Sequence, residues 1–130
     1  MSIAEHVNGL QHLGLPTGAL DATVAFYESL GFTVALSTIN PNTGERVCFL
    51  TCKGLCIETY ECAEPAGRAG AIDHLALDVD DVEAAWEAVR AAGSTPLEDD
   101  IQFLPFWENG VRFFNILGPN GEKVEFSQKL

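Results

Sequence analysis

The chain has 130 residues, of which 47% are hydrophobic and 20% charged, and this composition is typical of a folded globular domain. Nineteen acidic and seven basic side chains give a formal net charge of −12. A surface of that charge repels nucleic-acid phosphates and anionic lipid headgroups. The N-terminal residues show no basic segment followed by an apolar core, and no apolar run approaches the roughly 20 residues that cross a bilayer. The sequence therefore predicts a cytoplasmic protein that binds a small molecule, with no nucleic-acid or membrane partner.

A first set of predicted elements fills about residues 8–62. The helix is indicated by Leu20, Val24 and Tyr27 at helical spacing, and Gly31 follows where a left-handed residue is favoured. Period-two alternation indicates the strands. In chain order the elements are a strand near 10–15, a helix at 20–30, and strands at 32–38, 46–52 and 55–62.

A second set repeats this order over about residues 72–130, after a linker at 63–71 that is rich in Ala, Gly and Pro. Its elements are a strand at 73–79, a helix at 82–92, a weak strand near Thr95, a hydrophobic loop at 101–107, a strand at 111–117, a turn at 118–121, and a strand at 122–128. We therefore predict a single domain, residues 1–130, of the α+β class. Its two βαβββ modules would pair to form an incomplete barrel with the helices outside.

The two modules are related by an internal repeat. His12-Leu13-Gly14-Leu15 and His74-Leu75-Ala76-Leu77 read alike, at an offset of 62 residues (74 − 12 = 62). The same offset relates Gly31 to Gly93 (93 − 31 = 62) without a gap. Equivalent positions of the two modules are therefore expected to have equivalent surroundings.

Each module contributes one His and one Glu near equivalent strand ends: His12, Glu58, His74 and Glu125. Because side chains alternate across a strand, each of the four is predicted to lie on the face opposite the apolar, helix-packing residues. Imidazole and carboxylate ligands suit a borderline divalent ion. Four protein ligands would leave two positions of an octahedral ion for water or substrate. The pattern therefore predicts a catalytic metal site inside the barrel, and His6 lies outside the pattern.

These residues stand in segments that resemble the vicinal oxygen chelate superfamily, which includes glyoxalase I and the bleomycin-resistance proteins. The resemblance covers nearly the whole chain. The matching segments are residues 12–15, 26–32, 57–58, 73–79, 118–121 and 124–126. The resemblance is specific as an assignment of the fold. It does not identify one activity, because the superfamily supports many reactions.

The resemblance also implies an activity. Bacterial glyoxalase I enzymes use a His-Glu-His-Glu metal set, which His12, Glu58, His74 and Glu125 match residue by residue. It implies a lactoylglutathione lyase-like enzyme that binds Ni, Zn, Co or Mn. Glu58 and Glu125 would act as the bases that move a proton between neighbouring carbons of a hemithioacetal, which gives a hydroxyacyl thioester. It further implies a homodimer, whose active sites lie either within one chain or across the subunit interface.

An aromatic segment in the second module has two interpretations. Phe103, Phe106 and Trp107 form either a lid over the barrel core or an apolar wall of a substrate pocket. The resemblance also implies basic residues that bind the carboxylates of glutathione, for which Arg46, Arg112 and Lys123 are available. Arg112 is close to the aromatic segment in the sequence. We predict that Arg112 and the three aromatic residues line the pocket.

Other members of the superfamily provide alternative functions. His12, His74 and Glu125 alone would suit an iron-dependent extradiol dioxygenase or a thiol transferase of the fosfomycin-resistance kind, but Glu58 would fill a position that oxygen chemistry needs open. An acyl-CoA epimerase fits the metal set but needs basic contacts for the coenzyme A phosphates. A metal-free protein of the bleomycin-resistance type would only sequester a ligand, and such proteins generally lack the full metal set.

Overall fold

The computed structural model describes residues 2–29, 31–117 and 123–130. Within them, a short 3₁₀ helix at Ile3–His6 precedes two α-helices and eight strands. The helices are α1 (Leu20–Ser29) and α2 (Val82–Ala91), and the strands are β1 (Val7–Thr17), β2 (Thr33–Ile39), β3 (Arg46–Cys52), β4 (Leu55–Glu61), β5 (His74–Val79), β6 (Gln102–Leu104), β7 (Val111–Leu117) and β8 (Lys123–Lys129). Both halves follow the order strand, helix, three strands, which confirms the predicted α+β class and βαβββ modules.

The chain divides into two compact units whose boundary falls inside β1. We call His12–Asp73 the continuous unit, and Met1–Gln11 together with His74–Leu130 the split unit. Strand β1 therefore begins in the split unit and ends in the continuous unit.

The continuous unit contains four strands in the order β2-β3-β4-β1. β1 pairs with β4 in parallel, and β3 is antiparallel to both β4 and β2. Helix α1 contacts β2, β3 and β4. Lys53, at a φ of 54°, lies in the tight turn that joins β3 to β4.

The split unit repeats this four-strand pattern in the order β5-β8-β7-β6. β5 pairs with β8 in parallel, and β7 is antiparallel to β8 and β6. One face of this sheet packs against α2 through a core that includes Val79, Phe114 and Phe126. Phe114 and Phe126 stack with their ring centroids 5.0 Å apart. These residues identify the helix-packing face of β5, β7 and β8.

The ends of the helices follow from local sequence signals. The Asp81 side chain accepts a hydrogen bond from the Ala84 backbone N–H at 3.0 Å and so caps α2. Gly31 and Gly93, which follow the helices, have φ values of 101° and 94°, the left-handed conformation that favours glycine at a helix end. Among the described residues no helix has both the length and the apolar character needed to span a bilayer.

Two predicted elements differ from the structure. The weak strand near Thr95 is wrong, because residues 94–96 are outside any strand. The third strand of the split unit is β6 instead, inside the segment predicted as a hydrophobic loop. Only three residues of β6 pair with β7 before Pro105, which has no backbone N–H to continue a ladder. The predicted turn at 118–121 and the helix position Leu30 lie outside the described residues.

Candidate functional site

His12 and Glu58 meet in the continuous unit. Their strands, β1 and β4, run in parallel with Gly14 opposite Glu58. His12 Nε2 lies 3.3 Å from Glu58 Oε1, and the imidazole is buried, with 4% of the residue exposed. Phe49, opposite Glu58 on β3, packs edge-on against the His12 ring at 5.7 Å between centroids. The His12 imidazole is thus packed against an aromatic ring on one side and faces a carboxylate on another.

His74 and Glu125 form the equivalent pair in the split unit. β5 and β8 run in parallel with Ala76 opposite Glu125, which reproduces the arrangement of the first pair. His74 Nε2 lies 3.3 Å from Glu125 Oε2. Both residues are buried, at 9% exposed, and Glu125 alternates with Val124 and Phe126 of the helix core. The side chains of His74 and Glu125 therefore lie on the sheet face away from α2.

The distance within each pair suits two neighbouring ligands of one ion. Ligand atoms about 2.1 Å from a metal and at right angles to one another are about 3.0 Å apart. The observed 3.3 Å in both pairs is close to that value. In each pair a buried imidazole stands beside a carboxylate, which is buried in Glu125 and partly buried in Glu58. The pairs therefore offer the mixed nitrogen and oxygen donors that divalent transition ions take. Each pair taken by itself fits half of a divalent metal site.

Tyr60 lies two residues after Glu58 on β4 and therefore on the same strand face. Its hydroxyl is hydrogen-bonded to the side chain of Asp73. Burial raises the pKa of Tyr60 well above its ordinary value, and the charges of Asp73 and Glu58 raise it further. The phenol therefore remains a neutral hydrogen-bond donor, with Asp73 as the acceptor.

Asn115 lies directly opposite Glu125 on the neighbouring strand β7. Its side-chain Nδ2 donates to Glu98 Oε2 at 2.7 Å, and its backbone N–H donates to Glu98 Oε1 at 2.8 Å. The carboxylate of Glu98, from the loop before β6, thus fixes both the backbone and the side chain of Asn115.

The predicted pocket residues all belong to the split unit, but they occupy different places. Arg112 on β7 lies opposite Gln128 on β8. The Gln128 side chain accepts a hydrogen bond from the Val82 backbone N–H at the start of α2. Arg112 itself donates to Glu83 of α2 at 3.0 Å. Phe103 on β6 lies opposite Arg112 on β7, and the two side chains share one face of the sheet. The structure therefore places Arg112 and Phe103 on the opposite strand face from Glu125.

Phe106 and Trp107 follow β6 in the loop that leads to β7. Phe106 is buried, with 3% exposed, and Trp107 has a φ of 63°, in the left-handed region that side chains rarely adopt. The Lys129 ammonium lies 4.0 Å from the centre of the Trp107 ring, which is a cation–π contact. This loop is thus held by packing and by a charge contact with the end of β8.

The site neighbours Tyr60 and Asn115 were not predicted from the sequence. Both stand on the same strand faces as the candidate ligands, so period-two alternation on β4 and β7 was the available signal. Nothing in the sequence indicated Glu98, because its bond to Asn115 joins a loop to a strand 17 residues away.

The repeated βαβββ arrangement, with one His–Glu pair in each unit, places the chain among the α+β proteins that are built from two equivalent modules. Within this class, the family model of the Glyoxalase/Bleomycin resistance protein/Dioxygenase superfamily matches residues 9–126. The chain belongs to this superfamily, as the sequence predicted.

The chain is also similar to an individual bacterial protein and to solved structures. An uncharacterized protein of Bacillus subtilis, YwbC, is 29% identical over 127 residues, which cover 92% of this chain and 97% of that protein. The methylmalonyl-CoA epimerase of Mycobacterium tuberculosis has the same fold, with a TM-score of 0.81 at 22% identity over 100% of this chain and 91% of the epimerase. A variant of the Streptomyces coelicolor methylmalonyl-CoA epimerase, in complex with 2-nitronate-propionyl-CoA, gives a TM-score of 0.76 at 24% identity over 95% of this chain and 98% of that one.

Proposed function

We propose that the protein is a divalent-metal-dependent lyase or isomerase of the glyoxalase I kind. Its substrate would be the hemithioacetal of a 2-oxoaldehyde and a thiol, and its product a hydroxyacyl thioester. The observation that supports this proposal best is the repeated His–Glu pair, at 3.3 Å in each unit. We assign His12, Glu58, His74 and Glu125 together as ligands of one Ni, Zn, Co or Mn ion.

When bound, the ion would polarise the two neighbouring oxygens of the substrate and stabilise the negative charge that develops there. The remaining chemistry belongs to the chain. One oxygen of each carboxylate faces its histidine, and we assign the other oxygen of Glu58 or Glu125 to proton transfer. One carboxylate takes the proton from the carbon that carries sulfur. A carboxylate then returns a proton to the adjacent carbon, and the hydroxyl proton passes from the first oxygen to the second. The sulfur-bearing carbon thereby becomes the thioester carbonyl, and the former carbonyl carbon becomes the hydroxyl-bearing carbon.

The first experiment is metal analysis by mass spectrometry of untagged protein, for the wild type, His74→Ala and His6→Ala. We expect about one ion per chain in the wild type and in His6→Ala, and a loss of metal in His74→Ala. His6 is the control because it stands outside the candidate ligand set and its imidazole contacts Asp80 at 2.9 Å. A wild type that binds no ion after incubation with Ni, Zn and Mn would contradict the proposal and favour a ligand-sequestering protein.

The second experiment tests the reaction. Wild-type protein loaded with Ni or Zn is mixed with methylglyoxal and glutathione, and thioester formation is followed by its ultraviolet absorbance. Turnover that depends on metal and is absent in His74→Ala supports the glyoxalase assignment. Metal binding without turnover would be consistent with the proposed metal site and would show that this hemithioacetal is not the substrate.

A second candidate function is the epimerisation of an acyl-CoA. Methylmalonyl-CoA epimerases share the fold, and epimerisation likewise moves a proton at a carbon next to a carbonyl. Coenzyme A phosphates need cationic partners, however, and two of the arginines already bond to carboxylates. Arg46 binds Asp21 and Glu61, and Arg112 binds Glu83. Incorporation of solvent deuterium into methylmalonyl-CoA, measured in parallel with the glyoxalase assay, decides between the two substrates.

We also propose that the protein is a homodimer. Several large apolar side chains are exposed within the described residues, among them Phe26 at 58% and Ile39 at 57%, and such side chains are available for a subunit interface. Light scattering during size-exclusion chromatography tests the proposal. A mass equal to a single chain across the accessible concentration range would contradict it.

A further inference from the structure

Asn115 shares a strand face with the candidate ligand Glu125. The two residues are directly opposite each other in the antiparallel pair β7–β8, which places their Cβ atoms about 5 Å apart. The neighbours of Asn115 in the sequence, Phe114 and Ile116, pack into the core against α2. Alternation therefore directs the Asn115 side chain away from α2, as it does that of Glu125.

The orientation of the Asn115 amide is fixed by its partner. A carboxylate only accepts hydrogen bonds, so Glu98 Oε2, 2.7 Å away, requires the amide nitrogen on its side. The amide oxygen Oδ1 consequently points away from Glu98. The backbone on both sides of this contact is also held, because the Leu97 N–H donates to the Asn115 carbonyl at 2.8 Å. An acceptor oxygen is thus held in place one strand away from Glu125.

We propose that Asn115 determines specificity by accepting, through Oδ1, a hydrogen bond from a hydroxyl or amide N–H of the substrate. Glu98 is a positioning residue that holds the Asn115 amide in the accepting orientation. This inference rests on the proposed function and narrows its substrate class. The preferred substrates carry a hydrogen-bond donor beside the two oxygens that reach the metal. Analogues without the donor bind more weakly because the ordered amide oxygen is then left without a partner.

A pair of small chelators tests the inference without turnover. Acetohydroxamate and N-methylacetohydroxamate each offer two neighbouring oxygens to a metal, and only acetohydroxamate carries an N–H. The affinity of both for the nickel-loaded protein is measured by titration calorimetry. The quantity compared is the ratio of the two affinities, acetohydroxamate over N-methylacetohydroxamate. We expect this ratio to be about tenfold larger for the wild type than for Asn115→Ala, which is the effect of one hydrogen bond. Glu98→Gln is expected to lose part of this preference, because a glutamine no longer requires the amide nitrogen on its side.

The control is Asn109→Ala. The Asn109 amide donates to the carbonyl of Leu130 at 3.3 Å, a contact that involves none of the candidate ligands, and the variant should keep the wild-type preference. Metal content is measured for every variant. If Asn115→Ala does not fold, Asn115→Ser and Glu98→Gln replace it.

The outcomes separate the two proposals. An equal chelator preference in the wild type and the Asn115 variants, or no chelator binding to nickel-loaded protein, would overturn the inference and leave the metal site standing. A wild type without metal would overturn the proposed function, and the inference with it.

Discussion

Ser127 carries a hydroxyl that has no hydrogen-bond partner among the described residues, although the residue is only 1% exposed. Burying an unpaired hydroxyl costs about 1–3 kcal/mol. We therefore expect Ser127→Ala to leave the free energy of unfolding unchanged or to raise it by about 1 kcal/mol. Urea denaturation measures the change. A loss greater than about 1 kcal/mol would show that the hydroxyl has a stabilising partner.

Thr59 provides the matched control for Ser127. It is fully buried, and its hydroxyl donates to the Leu15 carbonyl at 2.9 Å. Thr59→Val keeps the shape of the side chain and removes this bond, so we expect a loss of about 1 kcal/mol in the same assay.

Tyr60 is expected to make stability depend on alkaline pH. Its pKa is higher in the folded protein than in the unfolded chain, mainly through burial. The unfolded chain therefore ionises Tyr60 first, and the stabilising contribution is complete below about pH 10 and declines above it. Tyr60→Phe removes the ionisable group. Urea unfolding at pH 8 and at higher values should show a smaller alkaline loss for the variant, and equal losses would contradict the assignment.

Glu125→Gln tests the proposed proton transfer. The side chains are nearly the same size, so the fold should persist, whereas an amide cannot act as the base. We expect turnover to fall at least about 100-fold. Circular dichroism provides the folding control, and a fully active variant would remove the role assigned to Glu125.

At the scale of single residues, the sequence predicted strand faces better than it predicted partners. Alternation placed His74 and Glu125 on the face opposite the helix core, as the structure has them. The same alternation, applied to Arg112, would have placed it beside Phe114 and Ile116 on the helix side. Its bond to Glu83 is a contact between distant segments, and such contacts leave no periodic signal.

Among the elements, α2 depends on its cap. Asp81 satisfies the Ala84 N–H at the start of the helix, and Asp81→Ala should lower the free energy of unfolding by about 1 kcal/mol. Thermal unfolding followed by circular dichroism measures the loss. Asp99→Ala, an exposed acid outside any helix, removes the same charge without removing a cap. Equal effects of the two substitutions would mean that charge, and not the cap, is responsible.

Element prediction succeeded where a repeat and a periodic pattern coincided. β3 and β7 have the predicted bounds, and both helices begin where expected. The prediction failed between α2 and β7, where Thr95 has a suitable residue type but no strand partner. β6 is an edge strand of three residues that pairs only through β7, so its formation is decided by a partner distant in the sequence.

For the molecule as a whole, metal binding should raise the free energy of unfolding. A ligand that binds only the folded state at 100 times its dissociation constant stabilises by about 2.7 kcal/mol. We expect Ni or Zn to raise the melting temperature of the wild type and to leave that of His74→Ala unchanged. Calcium is the control for general screening of the net charge of −12, because it prefers all-oxygen sites. An equal rise with calcium would assign the effect to charge screening.

The division of β1 between the two units has a consequence for the order of folding. All residues of the continuous unit, His12–Asp73, are contiguous in the chain, whereas the split unit requires residues 7–11 to meet His74–Leu130. Closing the larger loop costs more chain entropy and slows assembly. During synthesis from the N-terminus, the continuous unit has its full sequence before His74–Leu130 is made. We therefore expect the unit that carries His12 and Glu58 to form first, and the unit that carries His74 and Glu125 to form only once residues 74–130 have been made.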